Sequence, residues 1–161
     1  GRRTPDANQS LKSAISNLSL GSKAPHIFKA LIYSICFGSK KIVDRFEEEG
    51  VTIDKVVGIG GVARKSPYIM QLLADTLNKP IYVSESDYAP ALGAAVYAAV
   101  AAGLYEDVNA ASEKLGSKIE AEYHPNNDNI EHMKKYFAAY GELATFVESS
   151  INKKQLHEFE I

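Results

Sequence analysis

The chain has 161 residues, of which 18 are basic and 20 acidic, for a net charge of −2. A near-neutral balance argues against a protein that tracks nucleic-acid phosphates, which normally needs a basic excess. One cysteine excludes an internal disulfide and every multi-cysteine zinc site, and no apolar run reaches membrane-spanning length.

The opening residues GRRTPDANQS are polar and unlike a secretory leader, so a cytoplasmic protein is expected. Leu11–Leu20 alternates weakly and is a candidate strand. Ala24-Pro25 opens a long helix through Glu49, with Ile27, Leu31, Ile32, Ile35, Ile42 and Phe46 at helical spacing and Gly50 as a left-handed cap. Cys36 lies in this apolar run and is expected in the core. Lys55–Gly60 reads as a strand, followed by a glycine pair and a short loop. Ser66 then caps a helix over Pro67–Leu77. Ile81–Ser84 is a second strand. Ala89–Ala102 is a small-residue helix ending at Gly103, whose missing bulk would let it lie close on the sheet. Asp107 caps a short helix that ends at Gly116.

After the loop HPNNDN, Asp128 and Glu131 form a capping-box pair. The last helix carries Ile130, Met133, Phe137, Tyr140, Ala144 and Val147 at spacings of three and four, which reads as packing surface. Residues 153–161 read as a frayed tail, leaving 1–152 as the folded part. The four histidines have no metal-ligand spacing, so solvated or capping roles are expected for them. Strands separated by helices predict an α/β protein with a small, mostly parallel sheet, in which Lys55–Gly60 and Ile81–Ser84 are neighbours. Two firm strands against about five helices are few for a self-contained α/β domain, so the chain reads as the later part of a larger one.

The chemistry concentrates in Lys55–Pro67, KVVGIGGVARKSP. A strand that runs into a glycine pair can bring bare backbone N–H groups up to a phosphate. A P-loop is excluded, because Arg64 stands where its second glycine must be. Gly58, Gly60 and Ala63 satisfy the dinucleotide pattern G-x-G-x-x-A, with Glu85 near the position of a ribose-binding acid. The late helix start at Ser66-Pro67 counts against that NAD-binding Rossmann alternative. A ligand-free turn in a non-enzymatic interaction domain is the other alternative.

Four segments in order carry a family resemblance: GRRTPDANQSLKSAISNLSLG, APHIFKALIYSICFGSKKIVDRFEEEGV, VVGIGGVARKSPYIMQLLADTLNKPI and SESDYAPALGAAVYAAVAAGLY. They resemble the C-terminal, ATP-binding part of FGGY-family carbohydrate kinases. The likeness covers roughly residues 1–145, with a longer loop between Gly61 and Ser66 than many such kinases have. It implies the later half of an actin-like, ribonuclease-H-like domain with ATP in an interdomain cleft. It also implies that Gly60 and Gly61 face the nucleotide phosphates, and that Lys65 and Ser66 border adenine and ribose. The implied substrates are Mg-ATP and L-ribulose or a related ketopentose. The catalytic base, the sugar pocket and the first phosphate loop are expected in an N-terminal half outside this chain. A piece lacking that half is expected to be inactive, to bind nucleotide weakly at best, and to self-associate.

Overall fold

Helix α1 (Ala24–Glu48) starts where Pro25 fits the first turn and where Lys23 N–H donates to His26 Nδ1 at 3.2 Å. His26 is therefore a capping histidine. The helix stops before Gly50, whose φ is +86°. The computed structural model describes the backbone over residues 1–158 and side chains over 1–150. The expected tail over 153–161 lies outside the residues whose side chains are described, although helical backbone is traced through Glu158.

The chain divides into two compact units. The first holds Gly1–Ile53, Asp75–Leu77 and the chain from Asn126 onward. Its core lies between α1 and α6 (Asn127–Glu158). Phe37 is buried and meets Tyr33, Phe137 and Tyr140 at ring-centre distances of 6.0, 5.7 and 5.5 Å. Such tilted aromatic pairs add roughly 0.5–1.5 kcal/mol each beyond their buried area. Lys40 and Lys41 lie over the Phe137 and Tyr140 rings. The stripe on the last helix is thus packing surface, as its spacing predicts. Cys36 is fully buried beside it in sequence, and burial pushes its thiol up to about 11. The other face of α1 is bare: Phe28 and Ile35 are 65% and 63% exposed.

The expected capping box at Asp128 and Glu131 does not form. Helix α6 already begins at Asn127, two residues before the start that a cap at Asp128 implies, and the Asn126 side-chain oxygen accepts from Asp128 N–H at 3.0 Å. Glu131 instead pairs with Lys134 at 2.6 Å. The turn is fixed from a distance. Asp75, only 2% exposed, accepts from Asn126 N–H at 2.8 Å and from the Asn129 amide at 2.9 Å. A buried carboxylate is tolerable when its oxygens are satisfied in this way.

The second unit holds Asp54–Ala74 and Asn78–Pro125. Its sheet has the order β1-β2-β3, with β1 (Val56–Gly58) parallel to β2 (Ile81–Ser84). Val56 pairs with Ile81 and Gly58 with Val83, so the predicted neighbours are neighbours. Two helices rather than one connect them, α2 (Gly60–Lys65) and α3 (Pro67–Leu77). The third strand corrects the expectation of a mostly parallel sheet. It is β3 (Ile119–Tyr123), antiparallel to β2, with an irregularity between Val83 and Ser84. The candidate strand Leu11–Leu20 makes no ladder among the described residues, and only Leu11 of that stretch is buried. Weak alternation without a pairing partner does not make a strand.

Ile81 and Val83 are fully buried, with Ala63, Met70 and Leu72 also in the core. Helix α4 (Ala89–Ala101) packs mainly on α5 (Val108–Leu115), burying Val96 and Ala111. A Cβ added at Gly93 would meet nothing within 4 Å, so the small residues of α4 are not explained by close packing on the sheet. Asp107 caps α5 by accepting from Ala110 N–H at 2.8 Å, as expected.

Candidate functional site

Three glycines follow one another at the end of β1, and each stands there for a different reason. Gly58 is held by packing. A Cβ there would lie 3.2 Å from Ala63 Cβ and 3.5 Å from Met70 Sδ. Gly60 is held by its backbone, whose φ of +83° strains any residue with a side chain. Gly61 is held by neither. It has no left-handed φ, it is exposed, and a Cβ on it would meet nothing within 4 Å.

The segment after the glycines is not the loop that the sequence suggests. Residues Gly60–Lys65 form the short helix α2, with Ile59 extended before it and Ser66 after it. Ala63 is the buried contact that folds this turn back over Gly58. A helix therefore begins inside the glycine motif rather than at Ser66-Pro67, and its start does not count against the dinucleotide pattern.

The four predicted site residues fall at the two ends of α2. Gly60 and Gly61 open it and Lys65 closes it. At 1.5 Å per residue the ends are roughly 7 Å apart. Lys65 is exposed. Ser66 caps α3, its hydroxyl accepting from Ile69 N–H at 3.4 Å, which gives it a structural task in addition to the one predicted.

Arg64 went unnoticed in the sequence except as a residue that breaks the P-loop pattern. Its guanidinium forks. Nε donates to Glu120 Oε2 at 2.6 Å, one terminal nitrogen reaches Glu120 Oε1 at 3.4 Å, and the other donates to Asp87. The hydrogen bond from Arg64 holds the Glu120 carboxyl below the usual range, and its two carboxylate partners raise Arg64. Asp87 sits in the β2–α4 loop, residues 85–88, and Glu120 lies on β3. A second network ties the same loop to the residues before β3. Ser84 Oγ lies 2.9 Å from Ser117 Oγ, Ser86 N–H donates to Ser117 Oγ at 3.1 Å, and Glu85 N–H donates to Lys118 O at 3.1 Å.

Among the described residues no group of three or more His, Cys, Asp or Glu side chains could hold a metal ion. None of their helices is long and apolar enough to cross a membrane. A cavity of about 550 Å³ lies in the first unit, lined by residues such as Arg2, Leu11, Lys41 and Tyr140, and contains none of the predicted site residues.

Residues 1–102 match the C-terminal domain of the FGGY family of carbohydrate kinases. The chain belongs to that family. It is 46% identical over 160 residues to a ribulokinase of Vibrio parahaemolyticus, covering 99% of this chain and 28% of that protein. It is 35% identical over 147 residues to a ribulokinase of Shouchella clausii, covering 89% of this chain and 26% of that protein. The chain thus spans little more than a quarter of the length of these relatives. Its fold is that of a crystal structure of a xyloylose kinase from Brucella ovis, with a TM-score of 0.82 at 20% identity over 91% of this chain and 30% of that one. Family membership lends no support to the dinucleotide-binding reading of Gly58, Gly60 and Ala63 or to that of an interaction domain. Within the FGGY fold the chain is part of a C-terminal, actin-like domain.

Proposed function

We propose that the full-length protein is an ATP-dependent kinase that transfers a phosphoryl group to a hydroxyl of L-ribulose or a related ketopentose. This chain would supply the wall that faces the nucleotide phosphates. The activity rests on one observation, the 46% identity to a ribulokinase over nearly the whole chain.

The placement of the nucleotide rests on the glycines. No contact among the described residues requires glycine at position 61, yet a ligand lying against that backbone would. In this reading the N–H groups of Gly60 and Gly61 hold the phosphates, and Lys65 and Ser66, at the far end of α2, border the ribose and adenine. A helix of six residues carries little macrodipole, so the amides act as individual donors. Phosphoryl transfer depends mainly on positioning and on stabilising charge. When bound with the nucleotide, Mg²⁺ would supply most of the positive charge. The base that accepts the sugar's proton and the sugar pocket belong to the rest of the polypeptide. Dependence on ATP fits a compartment that holds ATP, and the cytoplasm is the location we propose.

The test is ADP release by the full-length protein from Mg-ATP in the presence of L-ribulose. Turnover with L-ribulose or another ketopentose, and none without sugar, is the expected result. Absence of turnover with every ketopentose tried would overturn the reading.

A further inference from the structure

We propose that Arg64 is a positioning residue for the nucleotide site, a clamp that fixes the glycine turn relative to the β2–α4 loop through Asp87 and Glu120. The inference rests on the placement of nucleotide phosphates at Gly60-Gly61. Ligands of open α/β sheets bind outside the carboxyl ends of parallel strands. In this sheet those ends are the ends of β1 and β2, which lead into α2 and into residues 85–88. Beyond the single backbone bond from Glu85 N–H to Lys118 O, the position of each segment depends on side-chain contacts.

The β2–α4 loop has one anchor in the serine network to Ser117 and Lys118. Helix α2 has one in the packing of Ala63 beneath Gly58. Among the described residues, Arg64 joins the two segments to each other and to β3. A planar guanidinium suits this task because its donors diverge in a fixed fork, which lysine cannot reproduce. The carboxylates that it meets are exposed, Asp87 to 66% and Glu120 to 43%. Exposed ion pairs add little to stability in water. The clamp therefore acts on where the turn sits and not on whether the domain folds. Three of the five Arg64 N–H donors are held by the two carboxylates, which orients the guanidinium toward the β2–α4 loop and β3.

The experiment uses the full-length kinase and the Michaelis constants for ATP and for the sugar. Arg64→Gln is expected to raise KM for ATP about tenfold, within the range that misplacing a binding group costs. KM for sugar should change by less than about twofold and the melting temperature should hold. Asp87→Ala combined with Glu120→Ala removes both partners while keeping Arg64, and is expected to raise KM for ATP by a similar factor. Equal rises in both constants, or no rise, would overturn the clamp. An unchanged KM for ATP in the double variant beside a raised one in Arg64→Gln would overturn it too, in favour of direct contact between Arg64 and the nucleotide. Gly61→Ala in the same assay separates the layers. If it weakens ATP and Arg64→Gln does not, only the clamp fails. If it leaves ATP binding unchanged, the nucleotide placement fails first.

Discussion

Replacing Gly61 by alanine should move stability and nucleotide affinity in opposite directions. Position 61 has no left-handed backbone, and its new Cβ would meet no atom within 4 Å. An alanine that fits the native conformation restricts the unfolded chain and stabilises by about 0.4–1 kcal/mol. In a domain of this size that is a rise in melting temperature of about 1–4 °C. The same methyl would stand where a phosphate approaches. A tenfold loss of nucleotide affinity corresponds to about 1.4 kcal/mol, which a single close contact can supply. Gly60→Ala is the control, because its φ of +83° makes any side chain strained, at a cost of roughly 1–2 kcal/mol in stability. The assay is thermal unfolding of the full-length kinase together with calorimetric titrations of ADP and of sugar. Gly61→Ala should melt at or above the parent, bind ADP at least about tenfold more weakly, and bind sugar unchanged. Unchanged ADP affinity would refute the phosphate placement. A lowered melting temperature would show that the rest of the polypeptide fills the space beside Gly61.

Three further outcomes follow from the packing. Asp75→Ala should destabilise the fold by roughly 1–3 kcal/mol in chemical denaturation, because it strands the Asn126 N–H and the Asn129 amide that the buried carboxylate now satisfies. The Cys36 thiol should resist alkylation at pH 8 until the protein unfolds, because it is fully buried and pushed up to about 11. The unfolded thiol ionises at a lower pH than the folded one, so the unfolded state holds fewer protons in the interval between them. Stability should accordingly decline as pH rises from about 9 to about 11, by roughly 3 kcal/mol at the upper end, readable as a falling melting temperature that Cys36→Ala removes. The 161-residue chain by itself should show no ADP release with L-ribulose and should sediment as more than a monomer, since Phe28, Leu31 and Ile35 lie bare on α1 and the edge of β1 exposes Val57. Turnover by a monomeric sample would contradict this.

Much of the fold can be read from local pattern. Ser66-Pro67 and the apolar run after it set the start of α3, and the aromatic stripe on α6 finds Phe37, as its spacing predicts. What escapes local reading is held by residues far apart in the chain. Helix α2 has two glycines and no helical stripe, so propensity favours a loop. Ala63 under Gly58 and the fork of Arg64 make it a helix. The start of α6 is set by Asp75, 51 residues before the Asn126 that it binds. Strand β3 carries a signal, the alternation of Ile119, Ala121 and Tyr123 with Glu120 and Glu122, but five residues with two glutamates make it a weak one. At the candidate site, VVGIGG marks Gly60 and Gly61 directly. The grouping of positions 64, 87 and 120 carries no spacing signal, because only the order of the sheet brings them together.

If the backbone at Gly60 and Gly61 carries the nucleotide phosphates, a crystal structure of the full-length kinase with ADP and Mg²⁺ will show it. A phosphate oxygen should lie within hydrogen-bonding distance of the Gly61 N–H, about 2.7–3.2 Å, with Arg64 still bound to Asp87 and Glu120. ADP bound elsewhere, with solvent against Gly61, would rule the placement out.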